Sequence, residues 1–167
     1  DCALDLLISS GAKSIAFEGG DLSYSLYKRI SDKMSADTAL LPSAGKLISS
    51  MRAIKSAEEI QGIANAQKIT DAAFEHILKV MTPSMTEREV AIELEMFMRR
   101  NGADGLSFDT IVAAGARGSL PHAEPGDSKL CCGDLVVLDY GCMVGGYCSD
   151  MTRTVAVGDI SDRQLDV

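Results

Sequence analysis

The sequence predicts an α+β fold, and three observations carry that expectation. Two stretches with apolar residues at helical spacing, each opened by a capping-box pair, run from Ser56 to Pro83 and from Thr86 to Gly102. After Gly102 the apolar period shortens from 3.6 toward 2 through "TIVAAG", "DLVVLDYG" and "YCSDMTRTVAVG". A block of helices followed by a block of strands suits an α+β domain better than alternating βαβ units.

The elements read as follows in chain order. Residues 3–9 are mostly apolar and end before Gly11, as the tail of a helix would. "SIAFEGG" is a short strand bounded by glycines, and residues 21–34 carry Leu22, Tyr24, Leu26, Tyr27 and Ile30 at helical spacing with Asp21 as candidate N-cap. "TALLPSAG" is a second short strand, broken by Pro42. This β-α-β piece is too small to bury a stable core alone and is expected to be the end of a larger α/β domain. "FEGGDLS" lacks the spacing of a dinucleotide-binding loop. From Arg52 the texture changes. Ser56 with Glu59 opens the first long helix, whose stripe is Ile60, Ile63, Phe74, Ile77 and Met81. Thr86 with Glu89 opens the second, with Val90, Leu94, Phe97 and Met98 as its stripe and Asn101–Gly102 as its end. Met81, Met96 and Met98 read as core filler, and His76 as a structural residue of the first helix.

Composition narrows the function. The 167 residues are 46% hydrophobic and 24% charged, the balance of a globular protein, and no apolar run approaches the roughly 18–20 residues of a membrane span. A net charge of −8, 5% aromatics and no Trp argue against nucleic acid and anionic membranes as partners. Five cysteines (Cys2, Cys131, Cys132, Cys142 and Cys148) show no C-x-x-C spacing and read as free thiols of a reducing cytoplasm. The chain opens at Asp1 and stops at "DRQLDV", and is expected to be a fragment cut at both ends.

The stretch "VVLDYGCMVGGYCSDMTRT" places Asp139 and Asp150 on two strand-like runs around a Gly-rich tip. A two-residue tip makes the residue numbers of facing partners sum to an odd constant, and 139 and 150 have an odd sum. With Val144–Gly145 at the tip the two aspartates face each other; with Gly145–Gly146 they are diagonal neighbours. Both cases put the carboxylates on one face. At about 4 Å such a pair repels by roughly 4 kcal/mol at an effective dielectric near 20. Solvation, protonation of one carboxyl, or a divalent cation between them would each relieve this. The apolar neighbours Val136, Leu138, Tyr147 and Met151 suggest a shielded setting. Thr152, two residues after Asp150, falls on the same face and can support a ligand carboxylate, whereas Arg153 falls on the other and reads as a surface residue. His122 is a loop histidine between Pro121 and Pro125, and by itself such a residue is most often just surface.

"GDLVVLDYG" followed by "GGYCSDMTRTVAVG" resembles the metal-binding hairpin of the pita-bread metallopeptidases. "RAIKSAEEI" and "SFDTIVAAG…PHAEP" narrow the resemblance to the Xaa-Pro peptidase branch, aminopeptidase P and prolidase. The resemblance implies that residues 1–51 are the end of a creatinase-like N-terminal domain with a linker, and that residues 52–167 are the N-terminal half of the catalytic domain. It implies a centre of two divalent ions (Mn²⁺ foremost, Co²⁺ or Zn²⁺ as alternatives) in which Asp139 ligates one ion and Asp150 bridges both. It gives His122 a catalytic role beside the metals, touching substrate. One histidine and two glutamates completing the ligand set fall beyond Val167 in the family pattern, so the site is incomplete in this chain and the fragment alone is expected to be inactive. The implied activity is exopeptidase cleavage before proline, with a peptide bearing proline at its second position as partner. A homodimer or higher homo-oligomer is the candidate assembly of the parent. The alternatives are a methionine aminopeptidase-like enzyme, against which "RAIKS" and the α/β piece argue, and a non-catalytic peptide- or protein-binding module, against which the repulsive aspartate pair argues.

Overall fold

The computed structural model describes residues 2–42 and 44–166. Asp1, Ser43, Val167 and the side chains of Cys2 and Ala3 lie outside the described residues, and with them the reading of Cys2 as a free thiol. The chain divides into two units, Asp1–Lys55 and Ser56–Val167.

The first unit contains α1 (Cys2–Ser9), β1 (Ser14–Ala16), α2 (Tyr24–Lys33), β2 (Ala39–Leu41) and α3 (Ala44–Ala53). β1 and β2 pair in parallel, Ser14 beside Ala39, with α2 as the crossover. The N-cap of α2 is Ser23, not Asp21: its hydroxyl accepts the Leu26 N–H at 3.3 Å, while Asp21 sits in the preceding turn with its N–H on the Glu18 carbonyl. Sequence reading misses α3 altogether. That helix buries none of its described residues, so its weak pattern, with Leu47 and Met51 exposed, carries little periodic signal. It includes Arg52, and the division between units falls a few residues beyond the expected boundary at Met51.

The second unit packs two helices on two small antiparallel sheets. α4 (Ala57–Val80) and α5 (Glu87–Arg100) both begin with the expected capping boxes: Ser56 Oγ accepts the Glu59 N–H while Glu59 accepts the Ser56 N–H, and Thr86 and Glu89 repeat the exchange. α5 buries Val90, Leu94 and Met98 as expected. The face of α4 differs from the expected stripe. Its core side is Ala66, Thr70, Ala73 and Ile77, whereas Ile60 is 58% exposed and Ile63 half-exposed. Small residues line this face because α4 approaches α5 and the hairpin strands closely; Met98 fills the core, and Met96 does not.

β4 (Ile111–Ala114), β5 (Leu135–Tyr140) and β8 (Met151–Ala156) form one sheet with β5 central, and β3 (Gly105–Leu106), β6 (Cys142–Val144) and β7 (Tyr147–Cys148) form the other. The run read as one continuous strand over 147–158 is thus two strands interrupted at Ser149–Asp150. The four described cysteines are free thiols. Among the described residues no helix is long and apolar enough to cross a membrane.

Candidate metal centre

The alternation of β5 decides what Asp139 sees. Val136, Leu138 and Tyr140 are fully buried against the helices, so Leu135, Val137 and Asp139 occupy the opposite face. Val136, Leu138 and Met151 therefore shield the core rather than the aspartates. The shielded setting expected of Asp139, whose Oδ1 is indeed buried, is thus supplied by other residues than these.

The register pairs Asp139 with Thr152 and Tyr140 with Met151, and beyond the kink it continues as Met143 with Cys148 and Val144 with Tyr147. The tip is consequently Gly145–Gly146, and Asp139 and Asp150 are diagonal neighbours. The two tip residues have φ of 57° and 83°. Both values are what a type I′ hairpin turn requires, and the alternative tip would have forced β-branched Val144 into that region.

The joint between the two sheets lies at Gly141 and Ser149, immediately beside Asp150. A Cβ on Gly141 would stand 2.0 Å from the Ser149 carbonyl oxygen, so only glycine permits this approach. Ser149 is 3% exposed and pinned from three directions. Its N–H donates to the Cys142 carbonyl at 2.9 Å, its hydroxyl accepts the Cys142 N–H at 3.0 Å, and the Thr70 hydroxyl on α4 meets it at 2.6 Å. Tyr140 adds a hydrogen bond to the Thr70 carbonyl, and burial pushes its phenol well above its ordinary pKa, keeping it neutral. This buried network sets the backbone from which Asp150 projects.

One cavity of about 470 Å³ brings the expected residues together: Asp139, Asp150 and His122 line it with Phe108, Asp109, Thr110, Ile111 and Ala123–Pro125. Four carboxylates and no Lys or Arg line it. Oδ1 of Asp139 is buried and has no hydrogen-bond partner, and neither aspartate carboxylate accepts a hydrogen bond among the described residues. A buried anionic oxygen left unpaired is costly unless something positive completes it. Two hard oxygen donors in an acidic cavity fit a hard divalent cation. Among the described residues no three of His, Cys, Asp and Glu converge in metal-holding geometry. The chain brings two candidate donors to this cavity, not a complete shell. Thr152 lies across the ladder from Asp139, exposed, and outside the cavity lining. His76 pairs with Glu93 at 2.6 Å and stacks on Phe97, away from the cavity.

Sequence reading missed Glu87 and Arg117. Glu87, in the first turn of α5, is completely buried and accepts hydrogen bonds from Ala114 N–H, Gly126 N–H and Arg117 Nε. An acidic residue in a first helical turn ordinarily reads as a solvated partner of the helix dipole, so the sequence holds no local sign of this burial.

The metallopeptidase family M24 model matches residues 61–167. The uncharacterized peptidase YqhT of Bacillus subtilis (strain 168) is 47% identical over 163 residues, 98% of this chain and 46% of that protein. Among solved structures, the Xaa-Pro dipeptidase from Bacillus anthracis superposes with a TM-score of 0.91 at 41% identity, covering 98% of this chain and 46% of that one. The X-Pro aminopeptidase from Thermotoga maritima superposes with a TM-score of 0.86 at 36% identity, covering 99% and 47%. The chain spans about half the length of these relatives, and its α+β architecture is part of the pita-bread fold that they share. With its matched segment running through both helices and the aspartate-bearing hairpin, this chain belongs to metallopeptidase family M24.

Proposed function

We propose that the full-length protein carrying this chain is a metal-dependent exopeptidase that hydrolyses the peptide bond before proline, as an Xaa-Pro dipeptidase or aminopeptidase. The observation that carries this reading is the unpaired, buried Asp139 oxygen in a cavity shared with Asp150 and His122. Relatives named for Xaa-Pro cleavage, one of them 38% identical over 148 residues, support it.

Asp139 and Asp150 would help to hold divalent ions, Mn²⁺ foremost, with further donors coming from the rest of the protein. When bound, such ions polarise a scissile carbonyl and lower the pKa of a water toward neutrality. The chain's own residues supply the remainder. His122, on its proline-flanked loop, donates a hydrogen bond to the substrate carbonyl. Phe108, Ile111 and Pro125 present an apolar wall suited to a pyrrolidine ring. A prolyl nitrogen carries no N–H, so recognition rests on ring shape and on the carbonyl rather than on an amide donor. Asp109 and Glu124 add negative charge that favours a free N-terminal ammonium.

The test is metal-dependent release of the N-terminal residue from an Xaa-Pro peptide by the full-length protein, its Asp150→Asn variant and the isolated 167-residue chain. Activity is expected in the first alone. An active Asp150→Asn protein or an active isolated chain overturns the mechanism, and a full-length protein that binds Mn²⁺ without cleaving such peptides overturns the assigned reaction.

A further inference from the structure

We propose that Glu87 is a positioning residue for the His122 loop, holding both ends of that loop through one buried carboxylate. Residues 115–125 connect β4 to the segment that returns toward α5, and His122 to Pro125 line the cavity. Glu87 Oε1 accepts the N–H of Ala114, the last residue of β4, at 2.9 Å, and Oε2 accepts the N–H of Gly126, just past the loop, at 3.1 Å. Arg117 Nε, inside the loop, lies 3.1 Å from both oxygens, and Arg117 Nη2 continues to the Glu124 carbonyl at 2.7 Å. Backbone bonds from Glu87 N–H to Ser128 and from Arg88 N–H to Gly126 anchor the same strap, each at 3.0 Å. Start, middle and end of the loop thus converge on one side chain that itself lies outside the cavity lining.

The chemistry requires a carboxylate. Three donors approach two oxygens, and a buried anion is stable only when fully hydrogen-bonded and charge-matched, as this one is by Arg117. An amide of the same shape offers one acceptor and turns an NH₂ toward a donor. Loop closure is entropically costly, and tying both ends removes the freedom that would let His122 wander relative to Asp139. The consequence for catalysis rests on the proposed reading of His122; the consequence for the loop does not.

The experiment uses the full-length protein with Glu87→Gln, His122→Ala and the double variant. Hydrogen exchange of peptides covering residues 114–126 is expected to speed up about tenfold or more in Glu87→Gln, while peptides covering 135–140 stay unchanged. Mn²⁺ affinity should stay within about threefold, because Asp139 and Asp150 are held by the hairpin instead. The kcat/KM for an Xaa-Pro peptide should fall roughly tenfold to a hundredfold in Glu87→Gln, the scale of a misplaced catalytic group. In the His122→Ala background the same substitution should change it by no more than about twofold. Unchanged exchange over 114–126, or an equal loss in both backgrounds, overturns the proposal. If the wild-type protein cleaves no Xaa-Pro peptide, the functional reading fails while the exchange comparison still decides the loop. Should Glu87→Gln not accumulate folded, Arg117→Lys, which keeps the charge but cannot reach both Glu87 and Glu124, is expected to give the same selective exchange, and its absence overturns the proposal.

Discussion

Gly141→Ala puts the hairpin joint under direct strain, and its cost follows from the geometry. The new methyl carbon would lie 2.0 Å from the Ser149 carbonyl oxygen and 2.8 Å from its carbon, both backbone atoms that no rotamer change can move. Relief requires β6 and the 149–150 segment to separate, which breaks the Ser149–Cys142 backbone bond and the Cys142 N–H bond to the Ser149 hydroxyl. Two such bonds are worth about 1 kcal/mol each, and overpacking adds roughly 1–3 kcal/mol, for a total of about 3–5 kcal/mol. Gly145→Ala in the same hairpin is the control. Nothing lies within 4 Å of its added carbon, and only its φ of 57° opposes the change, at about 1–2 kcal/mol. Urea unfolding of the full-length protein, followed by far-UV circular dichroism, should separate the two midpoints clearly. Mn²⁺ titration should show weaker binding for Gly141→Ala only, because Asp150 follows the displaced Ser149. Equal stability and equal metal affinity for the two variants would refute the close-approach argument and the claim that this joint aims Asp150.

Three other outcomes are expected. Asp139→Asn and Asp150→Asn each remove one anionic donor, so calorimetry of the full-length protein should show Mn²⁺ binding weakened by about tenfold or more, with Xaa-Pro hydrolysis nearly abolished. Tyr140 has its pKa raised by burial above the unfolded value near 10, so its contribution to stability is complete below about pH 10 and lost as pH climbs beyond it. Tyr140→Phe should flatten that alkaline loss, read as the urea midpoint between about pH 9 and 11, while costing about 1 kcal/mol at neutral pH for the bond to Thr70. Glu87→Ala leaves Arg117 and two loop amides without their acceptor and should destabilise by about 3–5 kcal/mol in the same unfolding assay.

The signals legible in the sequence are those carried by short-range geometry. Ser56 with Glu59 and Thr86 with Glu89 cap their helices because a side chain three residues on is always within reach of the N-cap amide. The placement of Asp139 and Asp150 on a common side of the hairpin follows from the period of two and a two-residue tip. The choice between the two possible tips stayed open in the sequence and was decided by the register and by the positive φ of Gly145 and Gly146, a region that disfavours Val144.

Burial was not legible, because it depends on what covers a residue from far along the chain. Ile60 follows the helical stripe of α4 yet is exposed, while small Ala66 and Ala73 are buried where α4 meets its neighbours. Asp139 follows Val136, Val137 and Leu138 in the sequence, but alternation turns only Val136 and Leu138 to the core and leaves the face that Asp139 shares with Val137 to a loop held by Glu87, whose partners are 27 to 39 residues away. The break at Ser149–Asp150 likewise arises from Thr70 and Gly141 meeting Ser149, a contact that no local period encodes. Residue types and their spacing thus determined by themselves which groups face together. Tertiary packing alone decided which of those groups lost water, and an unpaired carboxylate oxygen carries chemical meaning only where water no longer hydrates it.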